Sequence, residues 1–372
     1  MKKKILILYT MYGTGHYAAA KGIEEDLKER YSDYKIDLFD PFSYAYPRIN
    51  KLFAKVGRIM ATRLRKFRNL IYKKTMYKNY TKNFWYMNLG VKFFWTKKLK
   101  NKLLEFNPDI IISTQVGPTA VIAEHKDLFD AKLVVVYTDY GVHRLYVLPH
   151  KEVDIFCVPT DGIKKEMTLL GVDKSKIKVT GIPVSKRFRK KDTISKKIEI
   201  ITKKVTKAKQ TFLFVCGGGM GYDNAFTYFE LLLQSKYEFN YIFVAGRNEL
   251  LVKKATELAD KYKKKGKIYG YVKNMDELMY SSDMVIGKPG GLITTECLNT
   301  ITPLCAVEPI PGQEIKNSLF VRDNNFGFYI ENKEMFMNLL KDIDFGKIKL
   351  DDYRKNIKKN FVKFSFIDVD KI

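Results

Sequence analysis

The sequence predicts an α/β protein made of two doubly wound domains, each with its own parallel sheet. Three observations carry this. The chain has 372 residues, 46% of them hydrophobic, which is more than one core usually holds and enough to fill two. Short β-rich apolar runs alternate with amphipathic stretches, the pattern of βα units. That pattern restarts midway, and the first strand of each half runs into a glycine-rich turn, at Gly13 to Gly15 and at Gly217 to Gly221.

In the first half the strands are predicted at Ile5 to Tyr9, Lys35 to Phe39, Ile110 to Ser113, Leu133 to Tyr137, Ile155 to Val158 and Ile177 to Thr180. In the second they are Thr211 to Cys216, Tyr241 to Ala245, Lys267 to Gly270, Met284 to Gly287 and Pro303 to Val307. This gives a first Rossmann-like domain over 1–185, a basic linker over 186–209 and a second Rossmann-like domain over 210–345. A C-terminal helix is expected over 346–372, with the option of returning to the first domain. Ligands of open α/β sheets bind beyond the carboxyl ends of the strands, so the glycine turns are expected to face a shared cleft.

The formal charge of +26 is localised. Arg48 to Lys102 carries 17 Lys/Arg and no acid, and Lys186 to Lys209 carries 11 against Asp192 and Glu199, so the two segments account for the whole excess. A neutral body with two basic patches points to an anionic partner at a defined place. The acid-free segment also holds both tryptophans, Trp85 and Trp95, beside Phe84, Tyr86, Phe93 and Phe94. Aromatics among lysines suit a lipid headgroup boundary, and they would also stack on single-stranded bases. No apolar run reaches the roughly 18 residues that cross a bilayer, and Ile5 to Tyr9 is too short for a signal peptide. Cys157, Cys216, Cys297 and Cys305 lack paired spacing and read as reduced core residues. His16, His125, His143 and His150 show no zinc pattern, so no metal is expected.

Five strings carry chemistry. In Tyr9 to Ala20, Y-T-M-Y-G-T-G-H-Y-A-A-A, the chain leaves a strand through Gly13 and Gly15 and enters a helix with His16 at its start. A histidine there can take a proton from a hydroxyl nucleophile, or simply hydrogen-bond within the turn. Gly217, Gly218 and Gly219 can cradle a diphosphate, or make a tight strand-to-helix turn; no Lys-Ser/Thr pair follows, so this is not a P-loop. The string G-K-P-G-G-L-I-T-T-E, Gly287 to Glu296, follows a strand directly. Lys288, Pro289, Gly290, Gly291 and Leu292 lead into a helix whose amides face phosphate, and Glu296 can accept from a ribose diol or merely complement the helix dipole. In E-P-I-P-G-Q-E-I-K-N, Glu308 to Asn317, Gln313 and Glu314 are exposed on a rigid loop and suit sugar hydroxyls. In T-D-Y-G-V-H-R, Thr138 to Arg144, Asp139 and His143 can orient an acceptor or act on its proton, or Asp139 can serve as a cap.

Taken in order, these strings and V-T-G-I-P-V at Val179 to Val184 resemble the diacylglycerol glycosyltransferases of bacteria and plastids. The resemblance is to the processive diacylglycerol glucosyltransferase and monogalactosyldiacylglycerol synthase type, and more distantly to the transferase that adds N-acetylglucosamine to the undecaprenyl-linked peptidoglycan precursor. It implies a GT-B fold, with two Rossmann-like domains facing a cleft, and a UDP-sugar held mainly by the second domain. It further implies inversion at the anomeric carbon, no required cofactor or metal, His16 as base, Glu296 on the ribose, Gln313 and Glu314 on the donor sugar, and Lys288 near the diphosphate. Tyr271 and Val272, in G-Y-V-K-N-M, would meet the uracil. Asp139 stands second to His16 as a catalytic candidate, and Gly15 joins the donor-binding set.

Two departures stand out. Gly221 is followed at once by Tyr222-Asp-Asn, and Tyr146 stands where the family often has tryptophan. The reading that follows is transfer of a hexose, glucose ahead of galactose, from a UDP-sugar to diacylglycerol at the cytoplasmic face of the cell membrane, by a peripheral protein. Trp85, Trp95, Lys97, Lys98 and Lys100 would meet the anionic surface, and His143 the acceptor. Transfer to a polyprenyl-linked lipid is the alternative enzyme reading; a nucleotide-sugar epimerase would need no basic patch. A nucleic-acid-binding protein is the non-enzymatic reading, and no nucleic-acid partner is expected.

Overall fold

The computed structural model describes residues 2–11, 14–48, 92–147, 151–189, 210–216 and 225–372. The chain divides into two compact units, the first made of 1–186 with 311–313 and 362–372, the second of 187–310 and 314–361.

The first unit runs β1 (Lys4–Leu8), α1 (Thr14–Arg30), β2 (Lys35–Phe39), α2 (Pro41–Ala45), α3 (Lys97–Phe106), β3 (Ile110–Ser113), α4 (Val116–Glu124), β4 (Lys132–Val136), α5 (Arg144–Val147), β5 (Ile155–Val158), α6 (Asp161–Leu169) and β6 (Ile177–Val179). Its six strands are all parallel, in the order β2-β1-β3-β4-β5-β6, with Ile5 opposite Ile110 and Leu8 opposite Ser113. Strands buried on both faces read as continuous apolar runs, and Ile110 to Ile112 and Leu133 to Val136 do so because both faces are covered. Leu6 and Leu8 enter the core shared with α3, α4 and α6, whereas Ile5 and Ile7 enter the core lined by Ala20, Ile23 and Leu27 of α1.

The second unit runs β7 (Thr211–Val215), α7 (Phe226–Gln234), β8 (Asn240–Val244), α8 (Glu249–Tyr262), β9 (Gly266–Tyr269), α9 (Met275–Tyr280), β10 (Met284–Gly287), α10 (Gly291–Asn299), β11 (Leu304–Val307), α11 (Gln313–Asp323), β12 (Gly327–Ile330), α12 (Lys333–Asp344) and α13 (Leu350–Asn360). The second sheet, also six-stranded and parallel, has the order β12-β11-β10-β7-β8-β9. The chain therefore builds outward from β7 to one side, then crosses to β10 and builds to the other. This doubly wound order has its switch point between β7 and β10, as the first sheet has its own between β1 and β3.

Both sheets match the predicted class, and each predicted strand is present with ends shifted by a residue at most. The strand β12 was not foreseen. It is four residues long, opens on a glycine after Asn324 and Asn325, and so reads as loop. That glycine is required by pairing: a Cβ on Gly327 would lie 2.0 Å from the carbonyl oxygen of Leu304.

Of the expected linker, 190–209 lies outside the described residues, and Lys186–Phe188 is a 3-10 turn. The expected C-terminal helix is helical only over Leu350–Asn360, which lies in the second unit. What joins the first unit is the irregular segment 362–372. There Phe364, Phe366 and Val369 are buried with Ile5, Ile7 and Ile23, and the amide of Ser365 donates to the carbonyl of Thr180 at 2.9 Å. Gly181 allows the passage, with φ at +75° and no room for a Cβ, which would meet Phe364 Cα at 3.0 Å. The glycine of V-T-G-I-P-V is thus explained by packing.

Candidate active site

At the switch point of the first sheet the loops after β1, β2, β3 and β4 converge. After β1, the Thr10 hydroxyl donates to Gln115 Oε1 at 2.5 Å and the amide of Met11 to Asp40 Oδ2 at 3.2 Å. Asp40 also caps α2 through the amides of Phe42 and Ser43, with Pro41 at the first helical position. Residues 12 and 13 lie outside the described set; Gly15 and His16 follow in the first turn of α1.

His16 Nδ1 lies 2.8 Å from the carbonyl oxygen of Thr114, at the end of β3, and 3.3 Å from Thr138 Oγ1, beyond β4. A carbonyl only accepts, so Nδ1 carries the proton and Nε2 keeps its lone pair. Burial lowers the pKa of His16 below the ordinary value, against a smaller opposing effect of the Thr114 hydrogen bond, so the imidazole is neutral at pH 7. A neutral histidine whose Nδ1 is locked as a donor keeps its basic lone pair on Nε2, the form of a general base.

Asp139 and His143 are placed differently. Asp139 is half-buried, close enough to Tyr146 that, after burial, it is the next cause raising that hydroxyl's pKa. His143 is buried, and its Nδ1 accepts the amide hydrogen of Leu145 at 3.2 Å, so that nitrogen serves the turn into α5. Tyr146 is a core residue, tilted against Tyr137 at 4.8 Å and hydrogen-bonded to Thr138.

In the second unit the loops after β10 and β11 lie next to the switch point. Lys288 and Pro289 follow β10, Gly290 is the N-cap of α10, and its amide donates back to the carbonyl of Lys288 at 2.9 Å, closing a tight turn. Gly291 and Leu292 are buried in the first turn of α10. Glu296 lies further along α10 and its carboxyl is pushed up to about 8 by burial, with Arg187 opposing and Asp276 reinforcing the shift. Tyr271 is 55% exposed after β9 with the Arg247 guanidinium 5.0 Å from its ring centre, and the half-buried Val272 follows. Gly217, Gly218 and Gly219 lie outside the described residues.

Gln313 opens α11 and is half-buried. The Glu314 carboxylate is engaged on both oxygens: Oε1 pairs with the Lys288 ammonium, and Oε2 accepts the amide of Ile310 at 2.7 Å. Asn317 Nδ2 donates to the carbonyl of Pro289 at 3.0 Å. The two loops are therefore clasped twice. Asn317 stands within the P-G-Q-E-I-K-N string, but nothing in its spacing announces a partner 28 residues back. Arg187, Asp40 and Thr114 carry no motif at all.

On the basic segment, Trp85 lies outside the described residues. Trp95 is stacked on His125 at 3.9 Å and 16° and meets Phe129 edge-on, so it packs into the first unit. Helix α3 buries Leu99, Leu103 and Phe106 and leaves Lys97 and Lys98 exposed and Lys100 half-buried, with Lys98 4.3 Å from the ring centre of Tyr44. Among the described residues no group of three His, Cys, Asp or Glu is placed to hold a metal ion, and no helix is long and apolar enough to cross a membrane. The Asp368 to Asp370 string instead anchors the tail, accepting from Tyr31 at 2.7 Å and from Tyr34.

Two parallel six-stranded sheets of this topology define a GT-B fold. Acinetobacter baumannii MurG superposes with a TM-score of 0.62 at 12% identity, covering 96% of this chain and 95% of that one. A UDP-GlcNAc 2-epimerase from Neisseria meningitidis bound to UDP-GlcNAc gives 0.58 at 12%, covering 95% and 94%, so the fold by itself does not separate transferase from epimerase. Sequence goes further. Residues 16–184 match the family described as monogalactosyldiacylglycerol (MGDG) synthase. A processive diacylglycerol beta-glucosyltransferase of Staphylococcus haemolyticus is 28% identical over 345 residues, 92% of this chain and 84% of that protein. The resemblance to diacylglycerol glycosyltransferases drawn from the motifs is borne out over most of the chain.

Proposed function

We propose that this chain is an inverting glycosyltransferase that moves glucose from UDP-glucose to the free hydroxyl of diacylglycerol. The observation that carries it is the locked imidazole of His16, neutral and with its lone pair on Nε2, at the switch point of the first sheet in a chain whose relatives are named for diacylglycerol glucosyl transfer. In the reaction Nε2 takes the proton of the acceptor hydroxyl, the acceptor oxygen bonds to the anomeric carbon from the face opposite UDP, and the bond to the diphosphate breaks with its electron pair leaving on UDP. Inversion agrees with the beta-glucosyl product in the relative's name.

The second unit supplies the donor contacts. The amides at the start of α10 and the Lys288 ammonium face the developing charge of UDP, and Glu296 accepts from the ribose diol. Ionised Glu296 is the better acceptor, so burial that raises its pKa makes donor binding proton-linked. The protein works as a peripheral enzyme at the cytoplasmic face of the membrane, where the lysines of 48–102 meet anionic lipid, and it uses neither metal nor cofactor.

The test is incorporation of labelled sugar into diacylglycerol vesicles from UDP-glucose and UDP-galactose, with and without EDTA. Glucolipid formed in the presence of EDTA is the expected product. Galactolipid alone, or activity lost on chelation and restored by manganese, would overturn the respective part. Transfer only to a polyprenyl-linked acceptor would overturn the lipid assignment.

A further inference from the structure

The second unit begins at Arg187, in the 3-10 turn Lys186–Phe188, and this arginine belongs to no motif. Its Nη1 donates to the carbonyl oxygen of Lys273 at 2.5 Å, and its Nε lies 3.7 Å from Asp276 Oδ1. Lys273 ends the loop that carries Tyr271 and Val272, and Asp276 opens α9. The turn is itself held, since the Tyr280 hydroxyl donates to the carbonyl of Phe188 at 2.9 Å and the buried Phe188 ring lies 5.1 Å from the guanidinium. One arginine thus joins three elements: the segment that enters the second unit, the loop after β9 and the start of α9.

Resting on the donor site proposed above, we propose that Arg187 is a positioning residue for the UDP-sugar: it fixes the loop 270–274 that meets the base and sets its charge against the ribose-binding carboxylate Glu296. Arginine suits this because its fork can hold a carbonyl and a carboxylate at once while remaining charged at every working pH. Among the described residues the charged groups that act on Glu296 are Arg187, from the 186–188 turn, and Asp276, from α9, with the thiol of Cys297 beside it on α10. Arg187 favours the ionised carboxyl and Asp276 disfavours it. Removing the arginine takes away the favourable neighbour and leaves Asp276, so the carboxyl would hold its proton to a higher pH.

Two measurements on the full chain decide this. The first is hydrogen–deuterium exchange of segment 270–276 in the ligand-free protein, comparing wild type, Arg187→Gln and Arg187→Lys. Faster exchange in both variants is expected, since lysine cannot bond the Lys273 carbonyl while keeping its charge beside Asp276 as the guanidinium does, and wild-type exchange in Arg187→Gln overturns the proposal. The second is calorimetric affinity for UDP-glucose from pH 6 to 9, a donor whose diphosphate does not titrate in that range. Wild type should bind more tightly as pH rises and Glu296 ionises, and Glu296→Gln should show no such rise.

Arg187→Gln should bind about tenfold more weakly at pH 7 with its rise moved to higher pH, whereas Arg187→Lys keeps the wild-type pH position with weaker binding throughout. A rise at the same pH in Arg187→Gln overturns the coupling to Glu296. A wild-type chain that binds no UDP-glucose sinks the donor reading alone, and the exchange measurement then still decides the contact to Lys273.

Discussion

His16 Nδ1 and the carbonyl oxygen of Thr114 lie 2.8 Å apart across the two strands at which the first sheet changes direction, although 98 residues separate them in sequence. The contact converts a histidine in a turn into one of defined tautomer. Thr114 is itself fixed, its amide and hydroxyl donating to the carbonyl of Leu8 at 3.0 and 3.2 Å, so the acceptor that orients the ring is part of the sheet.

Replacing His16 by alanine should lower turnover by about 10²- to 10⁴-fold with UDP affinity nearly unchanged. A fall of less than about tenfold would pass the role of base to Asp139. The pH dependence has a definite sign. The base must be neutral and its pKa is lowered by burial, so kcat at saturating UDP-glucose, from which the Glu296-linked donor affinity drops out, should fall on the acid side only below the ordinary histidine range. The same shift makes the native state bind fewer protons than the unfolded chain, so the stability from neutral His16 is present above about pH 6.5 and is lost as pH falls towards the lowered value. A profile of kcat at saturating UDP-glucose with its acid limb above the ordinary range would contradict the assignment.

The pairing of Lys288 with Glu314 is testable by a double-mutant cycle. Both side chains are largely buried, at 20% and 13% exposure, and Glu314 also holds the amide of Ile310. Lys288→Met and Glu314→Gln should each weaken UDP-glucose binding, and the double variant should lose less than the sum, with a coupling of about 0.5–3 kcal/mol. Strict additivity in calorimetric affinity would mean that the two residues act on the donor separately.

Much of this architecture was legible in the sequence, because strands buried on both faces announce themselves as apolar runs and glycine turns mark their carboxyl ends. His16 and Glu296 were legible for the same reason: each follows a strand and a glycine turn. What stayed hidden depends on distant partners. Glu314 looked like a free sugar ligand until Lys288, 26 positions away, was found on it. The lysine neighbours of Trp95 are visible in sequence, but its stacking partner His125 is not. The strand β12 was masked by its opening glycine, and Arg187 acts on a carbonyl 86 residues away.

The tail offers a prediction about stability. Phe364 is buried among Ile5, Ile7 and Ile23, and Phe→Ala in such a site costs about 3–5 kcal/mol. Trp95 packs on His125 and Phe129 of the first unit, so its emission reports on that unit. Phe364→Ala should lower the urea midpoint seen by emission while UDP-glucose binding in dilute urea persists. An unchanged midpoint would show that 362–372 contributes no stability to the first unit.

Binding to anionic membranes is expected to depend on the segment 48–102, whose 17 basic residues include Lys97, Lys98 and Lys100 on α3. Lysines near an anionic leaflet contribute about 1 kcal/mol each, so a third of them would give stable, salt-sensitive attachment. The packing of Trp95 on His125 decides how to test this. Its removal would disturb the first unit as well as any lipid contact, so a loss of binding in Trp95→Ala would be ambiguous. Charge reversal is cleaner, because Lys97 and Lys98 are exposed and Leu99 and Leu103 on the other face of α3 hold the helix in place. The triple change of Lys97, Lys98 and Lys100 to glutamate should release the protein from phosphatidylglycerol vesicles at about 0.15 M salt, where screening acts over about 8 Å. The control is the same change at Lys253, Lys254 and Lys261, which are exposed on α8 of the second unit and alter the net charge equally. If both triples release the protein alike, total charge sets attachment rather than this segment. If neither does, the lysines of α3 take no part in docking.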